Sequence, residues 1–188
     1  MNTVENRWTF RNSPKGITTI ELVIVVSILA TLSAIALPGL LGGVQRSGVD
    51  GAARRISDDI RLAQNTAITR GLQTRFIAFS SAGVALNPGA SEITDTTKEN
   101  RYRIEMRSGP SASWPSLGDL PSSNPNVLTI WNDLRAYYRG VTVTTGNTLI
   151  FNSQGFVTNS TSPVDIVVQG SAGTKTIRTS VIGKATIQ

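Results

Sequence analysis

The sequence predicts an α+β protein in which one long N-terminal helix, membrane-spanning in its first half and amphipathic in its second, packs on antiparallel β-sheet. Three observations predict this class. Residues 22–37 contain no charge, and residues 49–67 carry apolar and alanine side chains at helical spacing. From residue 73 onwards, short alternating runs rich in β-branched residues are separated by turn residues.

The apolar segment is the feature of the sequence that is most informative about function. Together with residues 17–20 it approaches the roughly 20 apolar residues that a membrane-spanning helix needs. It carries one charge, Glu21. A carboxylate in hydrocarbon costs about 2.5–3.5 kcal/mol, so it indicates a functional site with a cationic partner. Cleavage between Gly16 and Ile17 would create an α-amine four residues from Glu21, and that amine could be the partner.

The order of residues here resembles the type IV prepilin and pseudopilin superfamily. Its leader ends in a basic residue and Gly, followed by an apolar or aromatic residue and, four positions on, Glu; here these are Lys15, Gly16, Ile17 and Glu21. Pro38 falls where the family usually kinks its helix, whereas Ile17 replaces the commonest residue, Phe. The resemblance implies that a prepilin peptidase cuts after Gly16 and methylates the amine of Ile17. It also implies that Glu21 attracts the amine of a neighbouring subunit and so sets the register of fibre assembly.

Two other interpretations of the N-terminus are open. Ala34-Ile35-Ala36 has the small-x-small form of a signal peptidase site after a basic region and an apolar core. Glu21 inside that core, the length of the apolar span and Pro38 just beyond the cut argue against it. The other interpretation is an ordinary single-span anchor in which Glu21 has no role.

The resemblance divides the chain into a leader peptide (residues 1–16), a transmembrane and assembly helix (17–43) and a globular pilin-like domain (44–188). Three basic residues against Glu5 give the leader +2 of the chain's +6, which leaves +4 on the mature chain. Basic residues before a span favour the cytoplasmic side. We therefore expect a single-pass protein of the bacterial inner membrane, with its C-terminal domain outside the cytoplasm and later part of a periplasmic or extracellular fibre.

Composition excludes several function classes. The chain has no cysteine and no histidine, which rules out disulfides, thiolate or histidine metal sites and Ser-His-Asp triads. We expect neither an enzyme nor a cofactor. The basic balance favours polyanionic partners such as DNA, although solubility explains it equally well.

The second half of the helix is interrupted by glycines before it becomes regular. Gly39, Gly42, Gly43, Gly48 and Gly51 each cost on the order of 0.8–1 kcal/mol relative to Ala in a helix, so we expect a bend or local melting there. An apolar stripe that should pack against a sheet follows: Val49, Ala52, Ala53, Ile56, Ile60, Ala63 and Ala67. On the other face, the sequence predicts the solvated i,i+4 pairs Arg54–Asp58 and Arg55–Asp59, and Gly71 should end the helix.

The remainder predicts strands and turns. Residues 73–80 and 101–106 alternate as half-buried strands do, and residues 108–126 form a long irregular insertion that Trp114 could pin to the domain. Further strands are predicted at 127–131, 134–139, 141–145, 148–152, 164–169 and 174–182. Gly146-Asn147 suits a tight hairpin, residues 170–173 another, and residues 183–188 a short tail.

Two stretches narrow the resemblance to the minor pseudopilin H and fimbrial T (GspH/FimT) family. The family has a helix of the form L-x-x-x-L-x-x-A-x-x-x-A-I-x-R-G, and its positions are taken here by Ile56, Ile60, Ala63, Ala67, Ile68, Arg70 and Gly71. Residues 149–155 resemble the family's strand ending F-x-x-x-G. Members are minor subunits near fibre tips, in type II secretion or in type IV pili that take up DNA. The resemblance implies a minor pilin or pseudopilin whose partners are other pilin subunits, the prepilin peptidase and the inner membrane.

A DNA receptor for natural transformation is the alternative function. The family's DNA-binding members carry a C-terminal Gly-Arg-x-Arg element, and this chain has Gly183-Lys184-Ala185-Thr186, which lacks the second arginine. Lys175, Arg178 and Lys184 are the candidate phosphate contacts if they line one edge. Otherwise these cations keep an exposed β edge from pairing with another chain.

Overall fold

A computed structural model of the chain describes residues 16–188. Residues 1–15, which include all of the predicted leader except Gly16, and the side chains of residues 37–45, Pro38 among them, lie outside the described residues. The chain divides into two compact units. The first ends at Leu41 and the second comprises Gly42–Gln188.

One helix, α1 (Thr19–Arg70), begins in the first unit. Its segment Thr19–Ala36 has a mean hydropathy of 2.3 and is long and apolar enough to cross a membrane. The hydroxyls of Ser27, Thr31 and Ser33 donate to carbonyl oxygens one turn earlier in the helix. These polar side chains are therefore satisfied within the helix, as an apolar environment requires.

Gly51 of α1 has a different role from the predicted one. The backbone is helical throughout Thr19–Arg70, so the local melting expected between residues 39 and 51 is absent from this range. A Cβ at Gly51 would lie 2.8 Å from Cε1 of Tyr138, and one at Gly48 would lie 3.8 Å from Cγ2 of Val141. Gly51 thus lets the ring of Tyr138 approach the helix backbone.

The predicted apolar stripe of α1 is confirmed. All seven of its residues are buried, and they form one core with the inward side chains of two β-sheets. The helix ends as predicted: Gly71 has φ +63°, and the N–H of Leu72 donates to the carbonyl of Ala67 at 3.3 Å. This is the glycine-terminated helix end expected from the sequence.

Ten strands make up the sheets of residues 16–188, the part of the chain that the structure describes. In chain order they are β1 (Gln73–Ala78), β2 (Val84–Ala85), β3 (Ile93–Thr94), β4 (Arg101–Arg107), β5 (Asn132–Asp133), β6 (Thr142–Thr145), β7 (Thr148–Phe151), β8 (Val164–Gly170), β9 (Gly173–Thr179) and β10 (Ala185–Ile187). The first sheet has the order β5-β4-β1-β7 and the second β10-β9-β8-β6, while β2 and β3 pair separately. All the strand pairs are antiparallel. The α+β class is confirmed.

The strand predicted at residues 134–139 is wrong. A short helix, α2 (Leu134–Tyr137), lies there, because the side chain of Asp133 accepts from the backbone N–H of Arg135 and caps it. Residues 127–131 are not a strand either, since only isolated bonds, such as that from the N–H of Leu128 to the carbonyl of Ile104, join them to β4. The predicted tail contains β10, which pairs with β9.

The hairpin predicted at Gly146-Asn147 is also wrong, because β6 and β7 belong to different sheets. The chain crosses between sheets at this point, and the carbonyl of Asn147 accepts from the N–H of Ala78 at 3.0 Å. A Cβ at Gly146 would clash with the backbone of Ala78 and Ser80. Gly146 is needed for this close passage of two backbones. The hairpin through residues 170–173, joining β8 to β9, is confirmed.

The first sheet is buried on both faces, although its strands were predicted to be half-buried. Its second face carries a cluster, here called the arginine–glutamate cluster, of Arg75, Arg103 and Glu105. Glu105 is fully buried and forms ion pairs with both arginines; the bond from Arg75 Nε to Glu105 Oε2 measures 2.8 Å. Burial, as the largest influence, lowers the pKa of Arg75, and the charge of Glu105 opposes this.

The irregular insertion, residues 108–126, is confirmed and covers this second face. Arg103 donates to the carbonyls of Ser116 and Asp119 at 2.7 and 2.9 Å. The ring of Trp114 stacks on Arg75 and Arg107, whose guanidinium carbons lie 4.7 and 4.4 Å from its centroid. Trp114 therefore does pin the insertion, and it does so through arginines.

The two ion pairs predicted on α1 are wrong. Asp58 lies 3.5 Å from Arg61, and Asp59 accepts a 2.6 Å hydrogen bond from the hydroxyl of Tyr102 on β4. Arg55 donates to the same hydroxyl at 3.1 Å. Burial and the hydrogen bond to Asp59 raise the pKa of Tyr102. These side chains join helix to sheet.

Candidate processing and assembly site

The bond between Gly16 and Ile17 lies just ahead of α1, in a segment without regular secondary structure. Both residues are exposed, Ile17 by 77%. A Cβ added at Gly16 meets no atom within 4 Å among the described residues. Packing within the described part of the chain therefore does not require glycine at position 16.

Glu21 occupies the first turn of α1 and is exposed in the isolated chain. Its backbone N–H donates to Oγ1 of Thr18 at 3.2 Å, and the N–H of Leu22 donates to the carbonyl of Thr18 at 3.1 Å. Thr18-x-x-Glu21 is thus a capping-box sequence, and the N-terminal end of the helix dipole favours a carboxylate at this position. The sequence interpretation missed this local role, which the Thr-x-x-Glu spacing itself signals.

A cationic partner for Glu21 is not among the described residues, where no lysine or arginine lies within 4 Å of it. Residues 16–20, the described part of the chain ahead of Glu21, carry no amine before cleavage. After a cut at Gly16, the amine of Ile17 would stand about one helical turn before Glu21. The helical backbone continues through position 38, and a kink at Pro38 stays a prediction.

Two of the three predicted phosphate contacts are already paired with carboxylates. Nζ of Lys175 lies 3.6 Å from Asp50 on α1. Arg178 forms two hydrogen bonds of 2.8 and 2.7 Å with Asp165, which lower the pKa of Asp165 and raise that of Arg178. Lys175 and Arg178 are three residues apart in β9, so they point to opposite faces of the sheet. The fold does not bring these two cations together.

Lys184 follows Gly183, a glycine that the packing of the domain requires. Gly183 has φ +84°, and a Cβ there would overlap the side chain of Gln64. Gln64 donates from Nε2 to the carbonyls of Gly155 and Ile182 at 2.9 and 3.1 Å. Packing against α1 thus explains the glycine that matched the DNA-binding element. Lys184 is exposed and has no carboxylate within 4 Å among the described residues.

A groove between α1 and the strands β9 and β10 is lined by five basic side chains. It consists of three adjoining cavities of about 220, 430 and 310 Å³ that run from Arg46 to Asn65, a distance of about 29 Å along the helix. Its charged lining residues are Arg46, Arg54, Arg61, Lys175, Lys184, Asp50 and Asp58. We call this the basic groove.

The sequence interpretation found two of the five groove cations, Lys175 and Lys184. It assigned Arg54 to a solvated face and drew nothing from Arg61. Their spacing of seven residues, two helical turns, places them on the same side of α1. This seven-residue spacing can be read from the sequence. The position of β10 beside this side of the helix cannot.

The fold, in which an apolar helical segment continues into a helix that packs on antiparallel sheets, is pilin-like. The family model described as type II transport protein GspH matches residues 52–183. The chain therefore belongs to the GspH family. Members of this family are structural pilin or pseudopilin subunits rather than enzymes.

Solved structures of two minor pilins are distantly similar. The type IV minor pilin FimU of Pseudomonas aeruginosa matches at 12% identity with a TM-score of 0.45, over 74% of this chain and 91% of that chain. The minor pseudopilin EpsH from the type 2 secretion system of Vibrio cholerae matches at 13% identity with a TM-score of 0.42, over 74% of this chain and 94% of that chain. No curated protein sequence matches. At these values the structural likeness carries no argument about function.

Proposed function

We propose that the chain is a minor pilin or pseudopilin that joins a fibre at or near its tip, in a type II secretion pseudopilus or a type IV pilus. The segment Thr19–Ala36 anchors it in the inner membrane, and the unit Gly42–Gln188 lies outside the cytoplasm. One observation carries the proposal: the residues that match the GspH family, 52–183, come after an apolar segment whose single carboxylate, Glu21, lies in its first turn.

The proposed mechanism has two steps. A prepilin peptidase cuts the exposed bond after Gly16 and methylates the amine of Ile17. In the fibre, Glu21 of one subunit then attracts the amine of its neighbour, and this attraction is strong because the surroundings have a low dielectric constant. A correctly placed neighbour is thereby distinguished from one shifted along the helix.

The processing step predicts a mature N-terminus at Ile17 carrying one methyl group. Mass spectrometry of protein purified from membranes or fibres measures it. Gly16→Ala should leave the fold unchanged, because the added Cβ has no contact, yet it should abolish cleavage. An N-terminus at Leu37, or an uncut chain beginning at Met1, would refute the proposed processing.

The assembly step predicts that Glu21→Ala leaves the protein folded and inserted but excludes it from fibres. Removing the charge eases insertion by a few kcal/mol while deleting the attraction to the neighbour's amine. Immunoblotting of sheared fibres and of membranes measures the two fractions. Thr18→Ala is the matched control, since it removes the helix cap but keeps the carboxylate, and it should assemble normally. If both variants lose the same fraction of fibre incorporation, Glu21 contributes only through the cap of the helix.

A pilus-borne DNA receptor is a second candidate, and the basic groove favours it. If duplex DNA makes three phosphate contacts along the groove, its affinity should fall roughly 40-fold as the salt concentration rises from about 50 to 200 mM. Fluorescence anisotropy of residues 44–188 measures this. Replacing Arg54, Arg61 and Lys184 with Gln should abolish the binding, whereas Arg178→Gln, at a cation outside the basic groove, should not. Absence of binding at low salt leaves the structural role alone.

A further inference from the structure

Three segments meet at the end of the unit Gly42–Gln188 where α1 enters it. A cavity of about 220 Å³ joins Arg46 to the β8–β9 turn, residues 170–173. On the other side of that turn, the carbonyl of Gly140 lies 3.4 Å from a Cβ position at Gly170. We call Arg46, Arg139 and residues 170–173 the base patch.

The base patch carries positive charge, and the side chains of its turn are small. Arg46 and Arg139 are exposed, and neither has a carboxylate within 4 Å among the described residues. The acidic residue lining the cavity, Asp50, faces Lys175 at 3.6 Å. The turn consists of Gly, Ser, Ala and Gly, so no long or acidic side chain of the turn keeps a flat anionic surface away from the two arginines.

Chain length keeps the base patch close to the membrane. Arg46 follows Ala36, the last residue of the apolar segment, by ten residues. Ten residues span about 15 Å as helix, and at most roughly 35 Å when fully extended. Arg46 therefore stays within roughly 35 Å of the end of the apolar segment.

We propose that the base patch docks on anionic phospholipid headgroups of the leaflet from which the chain emerges. The proposal rests on the membrane anchoring argued above. Each arginine near an anionic surface favours the docked state roughly fivefold, and the tether supplies a high effective concentration of headgroups. The unassembled subunit then rests on the bilayer, and it must release these headgroups when it joins a fibre.

The experiment uses the full chain in lipid nanodiscs and exploits its lack of cysteine. Ser171→Cys puts a spin label in the base patch, Ser153→Cys puts one at the opposite end of the unit, and Val26→Cys reports insertion of the apolar segment. A Cβ at Gly155, two residues from the second label, would lie 2.8 Å from the side chain of Ile68, which is about 28 Å along α1 from Val49. Accessibility of each label to a water-soluble nickel relaxer is measured in phosphatidylcholine discs with and without phosphatidylglycerol.

We expect the label at residue 171 to lose at least half of its accessibility in anionic discs only, and to regain it in high salt or in the Arg46→Gln/Arg139→Gln variant. The label at residue 153 should not change, and Arg178→Gln should behave like the parent chain. Equal accessibility at residue 171 in both lipids overturns the docking while insertion at residue 26 persists. Shielding that rises with protein-to-disc ratio means a second copy and also overturns it. A label at residue 26 outside the bilayer refutes the anchoring, and the docking falls with it.

Discussion

Replacing Glu105 with Gln tests whether the arginine–glutamate cluster on the second face of the first sheet is held together by its charges. The change keeps the side-chain shape but removes the charge that Arg75 and Arg103 share. Glu105 is 0% exposed, and the arginine side chains are 9% and 1% exposed. Removing one partner of a buried ion pair typically costs about 3–5 kcal/mol, because the remaining charge stays buried without compensation. We expect a loss of that size, a large part of the stability of a single domain.

The assay uses residues 44–188, which we expect to fold alone because the core lies in the unit Gly42–Gln188. Trp114 and Trp131 are the tryptophans of this fragment, and both stack on arginines of this face. Urea unfolding followed by circular dichroism gives the free energy, and tryptophan fluorescence reports the insertion. The melting temperature should fall by roughly 6–20 °C.

Two further variants test whether the buried charges cause the loss of stability. Asp165→Asn breaks an exposed pair and should cost about 0–1 kcal/mol. Replacing Glu105 with Leu and both arginines with Met should restore much of the stability, since apolar substitutes avoid the desolvation of charges. A loss below about 1 kcal/mol for Glu105→Gln would refute the claim that this cluster is held by its charges.

The other predictions concern packing and pH. Gly51→Ala should destabilise the domain by about 1–3 kcal/mol, because its Cβ would lie 2.8 Å from the ring of Tyr138. Gly48→Ala should instead stabilise the domain by up to about 1 kcal/mol. The midpoints of urea unfolding measure both changes. The bonds from Arg178 lower the pKa of Asp165, so the stability from this pair is present above the usual carboxyl pKa of about 3.9 and is lost as the pH falls below it. The difference in urea midpoint between the parent and Arg178→Gln should therefore shrink in acid, and a difference that grows there would contradict the assignment.

Features set by neighbours in the chain could be predicted from the sequence. The stripe of α1, its end at Gly71 and the β8–β9 hairpin depend on spacing and turn residues within a few positions, and all three are confirmed. The N-terminal motif of Gly16, Ile17 and Glu21 is also local, and its processing and assembly roles stay predictions.

Features set by distant segments could not be predicted. Alternation in β4 shows that Arg103 and Glu105 share a face, but only the folded chain shows that residues 108–126 cover that face. Gly146 suits a hairpin turn by composition, yet it serves a crossing between sheets, where the nearby backbone of Ala78 belongs to a strand far away in sequence. For the same reason the basic groove, which needs β10 beside α1, was only partly foreseen.

The buried stripe of α1 has a mechanical consequence. Its residues extend from Val49 to Ala67, about 27 Å along the helix axis, and they contact both sheets over this length. A force pulling along the axis of this part of α1 loads these contacts in shear, so that they must give way together instead of one after another. A subunit drawn out of a membrane by its helix would thus carry its domain along without unravelling it.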